Sequence, residues 1–139
     1  MDAKFYENYS VGCFYSFRKS VIAVAQVEKG KIKIRASELS RCPIQSIAEK
    51  FEKHYLPRKV WTQIHPSLND RFNGRLNQID FRDENALNEL EDIYLSLQDA
   101  ELLDFDGSYV STSQHHIKAL QLALKGLRFF KGSNYMLKS

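Results

Sequence analysis

Four histidines, two cysteines and a run of acids between positions 80 and 106 are the residues of this 139-residue chain with chemistry to offer. His115 and His116 are adjacent, and a helix turns about 100° per residue, so their side chains diverge and form no pincer. A metal site there needs His54 or His65 folded alongside. The paired histidines four apart with a carboxylate, the strong zinc signal, are absent, so the histidines read as surface or capping residues. The acids are Asp80, Asp83, Glu84, Glu89, Glu91, Asp92, Asp99, Glu101, Asp104 and Asp106. Asp104 and Asp106 flank Phe105 and in a strand face one way. With Asp70 or Asp80 they could form a carboxylate set that holds Mg²⁺ or Mn²⁺ for phosphodiester hydrolysis. The competing account of the same acids is a solvated helix face and a turn-forming Asp-Gly. Cys13 and Cys42 form no CxxC and are expected as buried thiols in a reducing compartment rather than a disulfide. There is no Gly-x-Ser-x-Gly, and the six glycines are scattered rather than gathered into a phosphate-cradling loop.

The basic residues say more. Lys29, Lys31, Lys33 and Arg35 line one strand, and Arg71, Arg75 and Arg82 punctuate an Asn-rich stretch. Lys125, Arg128, Lys131 and Lys138 mark the C-terminal end, interleaved with Phe129, Phe130 and Tyr135. Lys and Arg bind phosphates and exposed aromatics stack on bases. Lys31, Lys33, Arg35, Arg71, Arg75, Lys125, Arg128 and Lys131 are therefore the expected contacts to DNA or RNA. Against this, charge on an edge strand also prevents sheet-to-sheet aggregation, and Phe129 and Phe130 could pack on the core. The net charge of +3 is compatible with nucleic acid without demanding it. A protein partner docking on the 65–82 stretch or the aromatic C-terminal tail is the remaining option. No resident cofactor is expected, a divalent metal entering only with the nuclease alternative.

The elements that must position these residues follow from periodicity. With 43% hydrophobic and 27% charged residues, the chain reads as one domain over 1–139. Positions 10–17 carry aromatics on both faces and are expected as a central strand. Positions 21–27 are nearly continuous apolar and β-branched, the pattern of a strand covered on both faces, within a strand at 20–28. Glu28-Lys29-Gly30-Lys31 is a hairpin turn, and Ile32, Ile34 and Ala36 alternate with charged residues in a third strand at 31–35. Ser40 is the expected cap of a helix at 43–55, ended by Pro57. A fourth strand, 59–65, returns after that crossover and should lie parallel to an earlier one. Residues 1–9 read as a lead-in, 68–73 as a short helical turn and 78–81 as a short edge strand. Asp83 caps a helix at 84–98 with Ala86, Leu87, Leu90, Ile93, Tyr94 and Leu97 as its buried stripe. A short strand at 102–105 follows, then a helix at 113–129 capped by Thr112 or Ser113. No apolar run approaches the ~18 residues that span a bilayer, and the N-terminus lacks a signal-peptide core; the expected location is cytoplasmic or otherwise intracellular.

Three hairpin-linked strands, a helix, a parallel strand and a later helix across the sheet make the α/β order of an RNase H-like mixed sheet. The chain resembles an RNase H-like domain, and within that class the C-terminal nuclease domain of viral large terminase subunits. The residues that carry the resemblance are Tyr9–Phe17 before the apolar strand, Val60–His65, and the run from Ser113 to Leu124. In that family the first strand bears a metal-binding Asp, the fourth a second acid, and the last helix opens on further acids. Here the strand centres offer Cys13, Tyr15, Ala25 and Gln63, and the helix opens with Gln114, His115, His116 and Lys118. A hard cation needs anionic oxygen ligands. The resemblance therefore implies a nuclease-type scaffold, of viral or mobile-element origin, that binds nucleic acid and has lost metal-dependent cleavage. None of the family's catalytic acids carries over onto an acid in this sequence.

Overall fold

The apolar run at 21–27 forms the middle of a six-stranded mixed sheet and is covered on both sides, as its composition requires. The computed structural model describes residues 3–5, 7–40, 43–107, 109, 113–127 and 129–131, with side chains described for 7–39, 43–107, 109 and 113–127. In chain order the elements are β1 (Ala3–Phe5), β2 (Tyr9–Tyr15), β3 (Lys19–Glu28), β4 (Lys31–Ser40), α1 (Ile44–His54), a single 3-10 turn, β5 (Val60–Gln63), α2 (Pro66–Phe72), β6 (Asn77–Ile79), α3 (Glu84–Asp99), β7 (Leu103–Phe105), α4 (Gln114–Leu127) and β8 (Phe129–Lys131). The main sheet runs β6-β5-β2-β3-β4-β7. The β2–β3 and β3–β4 pairs are antiparallel hairpins. The β2–β5, β5–β6 and β4–β7 pairs are parallel. The β3–β4 hairpin turns through Lys29 and Gly30, both at positive φ (52° and 78°), as a two-residue turn of matching twist requires.

Alternation sorts the side chains onto two faces. Val21, Ala23, Ala25, Ile32 and Ile34 pack against α3 and α4. Val11, Cys13, Ile22, Val24 and Val60 pack against α1 and α2, where Phe51 and Phe72 are fully buried. The result is a three-layer α/β/α arrangement in which α4 lies directly on β2. Gly12 permits that contact, because an added Cβ would meet Ala119 O at 2.0 Å and Ala123 N at 2.4 Å.

Several boundaries differ from the sequence expectation. The first long strand stops at Tyr15, and Ser16, Phe17 and Arg18 form the turn, closed by Ser16 N donating to Lys19 O at 2.9 Å. Phe17 is thus at a turn tip, not on a strand. β4 extends to Ser40 because it pairs with β3 along its whole length, so Ser40 is a strand residue and Pro43 is the helix N-cap. β4 is not an edge, since β7 pairs with Ile32–Ile34 beside it. Leu87 is exposed, and Leu90, Ile93 and Leu97 are the buried stripe of α3. α4 ends at Leu127; Phe129 opens β8, which pairs with β1, so the expected lead-in contains a strand. Ser113 caps α4, its Oγ accepting from His116 N at 3.5 Å, while Thr112 lies outside the described residues.

Candidate functional site

β2, β5 and β6 are mutually parallel, and their carboxyl ends meet at one end of the sheet. In open α/β sheets ligands gather at the carboxyl ends of the strands. α4 runs antiparallel to β2. Near its start His115 Nε2 lies 2.7 Å from Ser16 Oγ, while its Gly126 meets Ser10 at the beginning of β2. α1 begins after β4, which points the same way. Two helix N-termini therefore face this end, neither with an acid in its first turn, and both bring positive dipole ends.

Gln63 closes the end of the parallel ladder. Its Nε2 donates to Tyr15 O at 2.6 Å and its Oε1 accepts from Tyr15 N at 3.3 Å, so the side-chain amide continues the β2–β5 pairing by one rung. Burial raises the Tyr15 phenol well above its ordinary range and keeps it neutral. Beside it His65 caps α2, its Nδ1 accepting from Ser67 N at 3.1 Å, with its ring 5.6 Å from that of Tyr15.

On the α4 side, Phe14 is ringed by Phe81 at 5.4 Å, His115 at 5.3 Å and the Lys118 ammonium at 4.8 Å. Lys19 lies 3.9 Å from Glu38. Burial first, then the charges of Lys19 and Lys118, lower the His115 pKa, against a smaller upward pull from Glu38. Burial, the largest of these causes, favours the neutral imidazole. Ser16 Oγ also lies 3.1 Å from Lys19 O. Its one hydroxyl hydrogen serves either that carbonyl or His115 Nε2, and the imidazole tautomer sets which. His116 points away, 2% exposed, with its ring 5.9 Å from Tyr109.

On the α1 side, the Ser16–Arg18 turn and α1 enclose an open groove of about 980 Å³ whose walls include Tyr15, Ile44, Ile47 and His65 and, among the described residues, no carboxylate. Phe17 stands on its rim 96% exposed, next to the exposed Arg18.

The acids expected as a relocated metal site do not come together. Asp80 follows β6 and is held by Arg82 at 3.0 Å, which lowers its pKa. Asp104 lies in β7 and Asp106 just beyond it. β6 and β7 are opposite edges of the sheet, five strand spacings or about 24 Å apart. Asp70 is exposed on α2, whose Asn69 Oδ1 accepts from Gln78 Nε2 of β6 at 3.3 Å. Among the described residues no three His, Cys, Asp or Glu side chains are placed to hold a metal ion. Among the acids, only Asp2 lies outside the described residues.

The expected basic contacts do not line one surface either. Lys31, Lys33 and Arg35 are exposed on the α1 side of β4, toward the end opposite the groove, with Lys33 3.7 Å from Glu28. Arg71 is bonded to Glu52 at 2.5 Å, and Arg75 Nε donates to Phe72 O at 3.1 Å. Lys125 is paired with Glu89 in the α3–α4 layer, on the other side of the sheet. The Arg128 and Lys131 side chains, Cys42, and the tail with Tyr135 and Lys138 lie outside the described residues; Cys13 is buried. Phe17, Arg18, Glu38 and Phe81 were missed as site residues. A phenylalanine flanked by Ser, Arg and Lys between two strands was the available signal for the first.

No family model and no curated protein matches the sequence. The fold does match. The large terminase nuclease of thermophilic phage G20c with bound zinc superposes with a TM-score of 0.65 over 90% of this chain and 86% of that one, at 11% identity. The same nuclease with bound magnesium gives 0.61 over 88% and 84%, at 10% identity. The large terminase of a second thermophilic bacteriophage gives 0.55 at 13% identity, over 95% of this chain and 37% of that longer one. The chain thus has the RNase H-like fold of large terminase nuclease domains. At its strand-carboxyl end the described side chains are Gln63, Ser16 and His115, with Lys118 close by and the carboxylate of Glu38 3.9 Å from Lys19.

Proposed function

We propose that this domain binds nucleic acid at the carboxyl ends of β2 and β5, through the protein's own cations, and does not cut it with a divalent metal. The observation that carries the reading is the charge of that end. Arg18, Lys118 and two helix N-termini without first-turn acids converge there. Glu38, the carboxylate that acts on His115, is paired with Lys19. Phosphate is the ligand such an end attracts. The likeness to terminase nucleases from phages supports a nucleic-acid partner and a viral origin. The exposed Phe17 ring beside Arg18 is what supports this end over the basic face of β4. An active nuclease built from Asp70, Asp80, Asp104 and Asp106 is disfavoured by their separation across the sheet.

The test is a mobility-shift and cleavage assay on single- and double-stranded DNA and RNA, with and without Mn²⁺. The expected result is salt-sensitive binding with every substrate left intact. Mn²⁺-dependent cleavage overturns the loss of activity, and no shift at low salt overturns the binding.

A further inference from the structure

We infer that the groove beside the Ser16–Arg18 turn takes an unpaired stretch of nucleic acid, with Phe17 as a stacking platform for one base. The inference rests on the proposed function and specifies its substrate. A 96% exposed phenylalanine at a turn tip contributes nothing to the core. Its ring faces solvent at a groove lined by Tyr15 and Ile44, with His65 next to Tyr15. A duplex keeps its base faces stacked inside and shows only edges and phosphates, so it offers this ring and wall nothing to cover. A single strand exposes base faces that stack on aromatic side chains while its phosphates meet nearby cations. Arg18, adjacent to Phe17, and the uncapped start of α1 stand where those phosphates would run. Among the described residues the groove lining contains no carboxylate to repel them. Occupant and surface are therefore complementary in charge and in exposed aromatic faces.

The experiment measures fluorescence anisotropy of a labelled oligo(dT) of about 12 nucleotides and of a blunt DNA hairpin of equal length whose loop is a non-nucleotide linker, at low salt. The oligo(dT) is expected to bind more tightly than the hairpin. Phe17→Ala is expected to weaken oligo(dT) binding about tenfold and to leave hairpin binding unchanged. Phe17→Trp is expected to retain affinity, with its indole emission quenched on binding above the constant signal of Trp61. Because Phe17 is exposed, neither substitution threatens folding. Equal affinity for hairpin and oligo(dT), or an unchanged affinity in Phe17→Ala, overturns the inference while leaving the proposed function standing. Failure of the unsubstituted protein to bind either probe overturns both.

Discussion

Gly12→Ala is expected to destabilise the domain by about 3 kcal/mol, lowering the midpoint of thermal unfolding by roughly 10 °C. Gly12 sits in the middle of β2, and α4 lies directly over it. The added carbon meets Ala119 O at 2.0 Å and Ala123 N at 2.4 Å, both main-chain atoms of that helix. Backbone inside a helix cannot rotate away, so α4 must lift off the sheet and forfeit contacts along the layer containing Leu120, Ala123, Leu124 and Leu127. The same change at Gly126 meets Ser10 Oγ at 2.0 Å and the Trp61 ring. Those are side-chain atoms with freedom to turn, and the loss there is smaller. Calorimetry of the two variants checks the order. An unshifted midpoint for Gly12→Ala means that α4 does not lie where it is described.

Gln63→Glu is expected to cost about 1–3 kcal/mol at pH 7. The glutamine amide both donates to Tyr15 O and accepts from Tyr15 N. A carboxylate can accept but cannot donate, so the substitution sets two acceptors against each other. The folded chain then favours the protonated acid, whose pKa rises above the ~4.3 of an unfolded chain. The penalty is complete above the raised folded value, shrinks as pH falls through it and is gone below the unfolded value. Urea unfolding of variant and parent at pH 7 and near pH 4 checks the sign: the gap must narrow on acidification. A gap that is absent, or that widens, shows that the amide does not bridge the strands. In this chain the end of β5 thus uses an amide to hold two strands together.

The fold was readable because its signals are local and strong. The alternation at 31–35, the apolar run at 21–27 and Asp83 ahead of a helical stripe each name their element from spacing alone. The parallel return of β5 follows from the crossover through α1. What was not readable depends on distant pairing. β4 runs five residues past its alternating stretch because β3 lies alongside it, which displaces Ser40 from its expected capping role. β1 and β8 are too short to announce themselves and exist through each other. The candidate site shows the same division. The scarcity of acids in the strand centres is visible in the sequence. The acids at 80–106 looked like one cluster because they are near in sequence, but the sheet puts Asp80 and Asp104 on opposite edges. Phe17 was assigned to a strand face because the β2–β3 turn begins two residues earlier than the aromatic pattern suggests, and that shift turns a core candidate into an exposed ring.

Two charge-reversal variants, measured side by side, test the central claim most directly. Arg18→Glu with Lys118→Glu inverts the strand-carboxyl end, and Lys31→Glu with Lys33→Glu inverts the basic face of β4 by the same amount. Oligonucleotide affinity is read across a salt series in EDTA. The first pair is expected to lose more than about tenfold in affinity, with a shallower salt dependence, and the second to lose little. The opposite ranking, or an affinity that appears only when Mn²⁺ replaces EDTA, contradicts the account.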